Sequence, residues 1–276
     1  MDEKTNIWKG GMDIPKISII TVCFNSAKTI RDTIESVINQ TYQNIEYIII
    51  DGGSTDGTID IIKEYEPYIA KWVSETDNGI YDAMNKGIKM ATGEIIGLVN
   101  SDDQLESDAL ALVISEYLKN KSADIIYGNM QFIVDKSFNY IITSVKNVRE
   151  DFIYGKMPVC HPATFVTRKV YQSVGVFRTE YRNAGDYEFI LRCIKNNTTF
   201  LYVNEVLTNM YSGGVSTDYK TTFKETREIN ILYGCNPIIA WLRYYESCIK
   251  TKIYNTFKNN IVFKMLYKWH KKDNIL

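Results

Sequence analysis

The chain has 276 residues, 45% hydrophobic and 24% charged, with a net charge of −1, enough apolar material for one large core or one core with an appendage. No run of about 18 uncharged apolar residues is present, and Asp2, Glu3 and Lys4 stand where an apolar leader would begin, so a cytoplasmic protein is expected. The five cysteines are odd in number and lack paired metal or redox spacing, so they read as reduced packing residues.

Strand and helix signals alternate along the first 220 residues. Residues 17–23 are an apolar run that reads as a strand, and 26–40 carries Ile30, Ile34, Val37 and Ile38 at helical spacing. A second strand is expected over 45–50, a helix over 54–65, a short third strand over 71–74 and a helix over 80–90. A central strand over 94–99, a helix over 105–118, and two strands near a sheet edge, 125–134 and 140–145, follow. Continuous β-branched runs are buried on both faces, which implies a Rossmann-like, mostly parallel α/β sheet flanked by helices. The composition then changes. Residues 220–276 contain eleven Lys and Arg against four Asp and Glu, which leaves −8 for residues 1–219. We therefore expect a body over 1–219 and a basic, mainly helical extension over 220–276. Its end, Phe263 to Lys272, reads either as a contact with an anionic membrane or as a helix packing Leu266, Met265 and Trp269 on the body. The acidic body disfavours a nucleic-acid partner.

Two acidic clusters follow the central apolar runs. Ile48, Ile49 and Ile50 lead to Asp51, and 95–99 lead to Asn100, Ser101, Asp102 and Asp103. Open sheets bind ligands beyond the carboxyl ends of their strands, so these acids stand where a substrate would sit. Adjacent Asp102 and Asp103 repel one another unless a cation or a proton intervenes, and hard oxygen ligands suit Mg²⁺ or Mn²⁺ carrying a phosphate-bearing substrate. Phe24, at the end of the first strand, reads as a stacking surface for a nucleobase or as core. No G-x-G-x-x-G follows the first strand, which argues against a dinucleotide-dependent oxidoreductase.

Five ordered blocks carry a resemblance: ISIITVCFN (17–25), DGGSTDGT (51–58), DNGIYDAMNKG (77–87), NSDD (100–103) and GDYE (185–188). Together, over about residues 15–215, the chain resembles glycosyltransferase family 2. The resemblance implies a GT-A fold and transfer of a sugar, usually with inversion, from a nucleotide diphosphate to an acceptor hydroxyl. It implies donor contacts from Phe24, Asp51, Asp77, Asn100 and Asp102, with Asn85 and Lys86 as further candidates near the diphosphate or base. Metal ligation falls to Asp102 or Asp103, because Asn100 stands where the family has its first acid. Asp186 matches the family's catalytic base, although Gly185 replaces the commoner Glu before it. His161 reads as a contact to acceptor or diphosphate, or as a satisfied structural residue. Residues 211–216 form a glycine-bearing loop that reads as a lid or as a plain connection. A UDP-sugar donor, a saccharide or lipid-linked acceptor, a role in bacterial surface-polysaccharide assembly and peripheral membrane contact through 255–276 are expected. A non-catalytic nucleotide-sugar binder is the alternative, but its mark would be loss of Asp102, Asp103 or Asp186, and all three are present.

Overall fold

Uninterrupted apolar runs bury both faces of a strand only if helices cover the sheet on each side, and that is the arrangement found. A computed structural model describes residues 14–135, 138–212 and 218–257. Strands β1 (Ile17–Cys23), β2 (Ile45–Asp51), β3 (Lys71–Ser74) and β4 (Ile95–Leu98) are mutually parallel. They continue through β8 (Thr164–Thr167), β6 (Ile125–Asp135) and β9 (Phe200–Tyr211) to β5 (Asp103–Leu105), in the order β3-β2-β1-β4-β8-β6-β9-β5, with β7 (Phe138–Ile142) beside β6. β5, β7 and β8 run antiparallel to their neighbours.

The pleat sends alternate side chains of β1 to opposite layers. Ile17 and Ile19 pack with α1 (Ile30–Ile38), α2 (Thr58–Glu64) and α4 (Ala109–Lys119). Ile20 and Val22 pack with α3 (Ile80–Met90), α5 (Arg168–Ser173) and α6 (Gly185–Lys195). The two polar residues inside β1 are buried with partners: Ser18 Oγ donates to Glu46 Oε2 at 2.6 Å, and Thr21 Oγ1 lies 3.0 Å from the Tyr47 hydroxyl. All five cysteines are free thiols, four of them buried.

Two expectations change. β6 is an interior strand, held between β8 and β9. It is not at an edge, because the four-residue β8 and the late strand β9 flank it on either side. The helix expected from residue 105 begins at Ala109, because residues 103–105 extend to pair with β9. After β9, α7 (Tyr219–Leu232) and α8 (Pro237–Phe257) close the described chain, and no described helix is long and apolar enough to cross a membrane.

Candidate active site

The loops after β1, β2 and β4 meet at one sheet edge and are stitched by short polar side chains. Asn25 takes the left-handed conformation (φ 50°), which an asparagine tolerates better than most residues. Its N–H donates to Ser54 Oγ at 2.7 Å, and its Oδ1 accepts from the Thr55 amide at 2.9 Å. The Ser26 amide donates to Thr58 Oγ1 at 2.8 Å, and the hydroxyls of Ser26 and Ser101 lie 2.7 Å apart, joining the first loop to the acidic loop.

Asp51 organises this junction from beneath. It is 0% exposed and accepts from the amides of Gly53 (3.1 Å) and Ser54 (3.0 Å), from Ser74 Oγ (2.6 Å), from Ser54 Oγ and from the Cys23 thiol. Burial by itself would raise its pKa, but these donors outweigh it and hold the carboxyl below the usual range. Its oxygens brace the loop at the strand end where the expected base contact lies.

Above it lies a different surface. Phe24 is 62% exposed, which rules out the core reading, and its ring flanks Gly52. A side chain at Gly52 would begin 2.5 Å from Asp77 Oδ2 and 3.4 Å from the Phe24 ring. Glycine is required there so that a carboxylate and a phenyl ring can converge over bare backbone. Asp77 Oδ1 accepts from the Gly79 amide at 2.8 Å. Asn85 and Lys86, by contrast, are committed elsewhere. Asn85 clamps Phe177 through both its amide (3.0 Å) and its carbonyl (2.8 Å), and Lys86 Nζ pairs with Glu75 (2.9 Å) and Asp82 (3.6 Å).

The acidic loop divides its two carboxylates. Asp102 is half-buried, whereas Asp103 is 1% exposed, with Oδ2 accepting from Asn100 Nδ2 at 3.1 Å. Burial, and then the charge of Asp102, pushes the Asp103 carboxyl up to about 8; burial also raises Asp102. Asn100 Oδ1 is buried without a hydrogen-bond partner.

Asp186 sits in the first turn of α6. The Tyr81 hydroxyl donates to its Oδ1 at 3.2 Å. Burial, reinforced by the Asp186 charge, pushes the Tyr81 phenol well up, so it remains a proton donor. A Cβ on Gly185 would meet the Tyr81 ring at 2.7 Å, which explains the glycine before Asp186: the ring occupies the space that a side chain would need. The His161 ring meets Phe177 edge-on at 5.9 Å; burial lowers its pKa while the charge of Asp186 pulls it back, so the imidazole is neutral at pH 7 and near the carboxylate. The backbone entering α6 is held by α7, where Glu225 accepts from the amides of Arg182 (2.8 Å), Asn183 (2.9 Å) and Ala184 (2.9 Å).

The family model for "Glycosyl transferase family 2" matches residues 18–175, more than half of the chain. The chain belongs to glycosyltransferase family 2. As a glycosyltransferase it is similar to a "PGL/p-HBAD biosynthesis glycosyltransferase" of Mycobacterium bovis, 29% identical over 245 residues that cover 86% of this chain and 94% of the relative. Its fold is that of GT-A structures. The 1–349 segment of S. aureus TarS, solved in complex with UDP-GlcNAc, aligns with a TM-score of 0.64 at 17% identity over 89% of this chain and 76% of that one. The mannosyltransferase PcManGT from Pyrobaculum calidifontis, in complex with GDP-Man and Mn²⁺, aligns with a TM-score of 0.58 at 18% identity over 84% and 69%.

The residues of this glycosyltransferase fit a divalent cation. Two carboxylates are destabilised by burial and proximity, and an orphaned amide oxygen lies in the same loop. Among the described residues no group of three or more His, Cys, Asp and Glu is placed to hold a metal ion. Two residues of this site escaped sequence reading: Tyr81, although it lies inside a quoted block, and Glu225, whose partners are about forty positions away. Of the glycine loop, 213–217 lie outside the described residues, as does 258–276 of the tail.

Proposed function

We propose that this glycosyltransferase is inverting and metal-dependent, and moves a sugar from a nucleoside diphosphate, a UDP-sugar in first place, to a hydroxyl of a saccharide or lipid-linked saccharide. One observation carries the reading. Asp77, beside the exposed Phe24 ring, lies in the loop that leads into α3, and Tyr81 in the first turn of α3 donates to Asp186, so four residues of chain link the nucleotide pocket to the base. Phe24 stacks on the base, Asp77 accepts its N–H, and Asn100 Oδ1 takes a ribose hydroxyl. Asp102 is the ligand for Mg²⁺ or Mn²⁺, and the buried Asp103 tunes the loop beneath it. When bound, the cation neutralises charge on the departing diphosphate. Asp186 removes the proton of the acceptor hydroxyl as its oxygen bonds to the anomeric carbon. The bond from that carbon to the diphosphate breaks on the opposite face, and the nucleoside diphosphate leaves with the electron pair. Neutral His161 orients the acceptor. The wider role proposed is bacterial surface-polysaccharide assembly at the cytoplasmic face of the membrane, with peripheral contact through 255–276. The test is a panel of UDP-, GDP- and dTDP-sugars assayed for hydrolysis and transfer with and without Mn²⁺. A UDP-sugar turned over only with the cation, and a cation response abolished by Asp102→Ala, is expected. Turnover indifferent to both removes the metal assignment.

A further inference from the structure

A helix at the surface of a folded chain turns its apolar side inward, and α8 does the reverse. Ile238, Leu242, Tyr245, Ile249 and Ile253 recur at steps of four, three, four and four, which places them on one face, and each is between 47% and 71% exposed. The helix is nevertheless fastened by its other side. Ala240 is buried, the Arg227 guanidinium of α7 lies 4.0 Å from the Trp241 ring centroid and 5.1 Å from that of Tyr244, and Arg243 donates to the Tyr154 carbonyl. The outward stripe is therefore held in place over 21 residues, a length of about 30 Å.

We propose that α8 lies in the interface of an anionic lipid bilayer, its apolar stripe among the acyl chains. This rests on the membrane contact proposed above and relocates its main surface to residues 238–253, ahead of the tail. Charge selects the occupant. Residues 220–276 carry eleven basic and four acidic residues, with Lys252 exposed beside the stripe and Lys250 paired with Glu246 on the same helix. A second copy would bring the same excess against itself, whereas lipid phosphates attract it. The placement also has a use. α8 grips α7, and α7 through Glu225 holds the backbone two residues before Asp186, so a helix lying on the bilayer fixes the base relative to a lipid-linked acceptor.

The test is flotation of the full chain with vesicles of phosphatidylcholine containing phosphatidylglycerol, against phosphatidylcholine alone. Binding to the anionic vesicles is expected, with at least about a tenfold loss in Leu242→Glu/Ile249→Glu, in which two exposed apolar side chains of the stripe are replaced by charge. Donor hydrolysis by that variant is expected to be unchanged, so a failed donor reading and a failed anchor are separately visible. Undiminished capture of the double variant overturns the proposal, as does a concentration-dependent dimer, in sedimentation velocity, that the variant dissolves while vesicles capture neither chain. If the variant misfolds by circular dichroism, Lys250→Glu/Lys252→Glu serves instead: weaker anionic capture supports the anchor and full capture overturns it.

Discussion

The two walls of the crevice are built differently. The donor wall is made of loops that follow adjacent strands, and its bonds pass between Ser, Thr, Asn and Asp side chains and nearby amides, as between Asn25 and Ser54 or Ser26 and Ser101. The acceptor wall is assembled from distant parts: Tyr81 of α3, the turn at His161, Asp186 of α6 and Glu225 of α7. Local polar stitching braces the proposed nucleotide cradle at the strand ends, while the proposed acceptor wall depends on how whole helices pack. The donor wall should therefore answer to single side chains, and the acceptor wall to the contacts that place them.

The most severe way to separate the walls is Asp186→Asn. It should lower transfer by about 10²–10⁴-fold with donor affinity intact, since only the proton acceptor is lost; full transfer with normal donor binding would show that another group is the base. Phe24→Ala strikes the other wall. Loss of base stacking, worth about 1–3 kcal/mol, should raise the donor KM some 5- to 150-fold with little change in kcat, and calorimetry with the nucleoside diphosphate alone checks it. Tyr81→Phe keeps the ring that fills the space over Gly185 and deletes only the hydroxyl. About a tenfold fall in kcat at unchanged donor KM is expected from one lost hydrogen bond to a charged group. A variant with wild-type kcat would confine Tyr81 to packing.

A separate effect is thermodynamic. In the folded, cation-free chain Asp103 is pushed up to about 8, whereas an unfolded aspartate titrates near about 4. The folded state thus holds the extra proton between these values, and stability should fall as pH rises through that window, by at most about 1.4 kcal/mol per pH unit for one proton. Chelator-treated protein melted at pH 5 and pH 8 tests this. Mn²⁺ should restore more stability at pH 8 than at pH 5, and Asp103→Asn should flatten the dependence.

Legibility followed the same division. The donor blocks could be read because each is a short run after an apolar strand, where chain order and spatial order coincide. Even there the bracing by Asp51 was not legible: five donors converge on its carboxylate, an arrangement that only the folded loop reveals. Asp186 was legible by resemblance as the proposed base, but the reason for Gly185 was not, because the ring that excludes a larger residue lies 104 positions earlier. Likewise β8 and β5, of four and three residues, are too short for a periodic signal and are strands only because their partners are already in place.

The amino-acid order by itself determined the alternating α/β architecture, the family and the strand ends at which the acids stand, because hydrophobic periodicity and turn residues act over a few positions. Tertiary structure alone decided which carboxylates remain open to a ligand, which tyrosine holds the base, and that the isoleucines of α8 face outward. Those outcomes depend on burial and on contacts across the sheet, which close only when segments far apart along the chain are packed together.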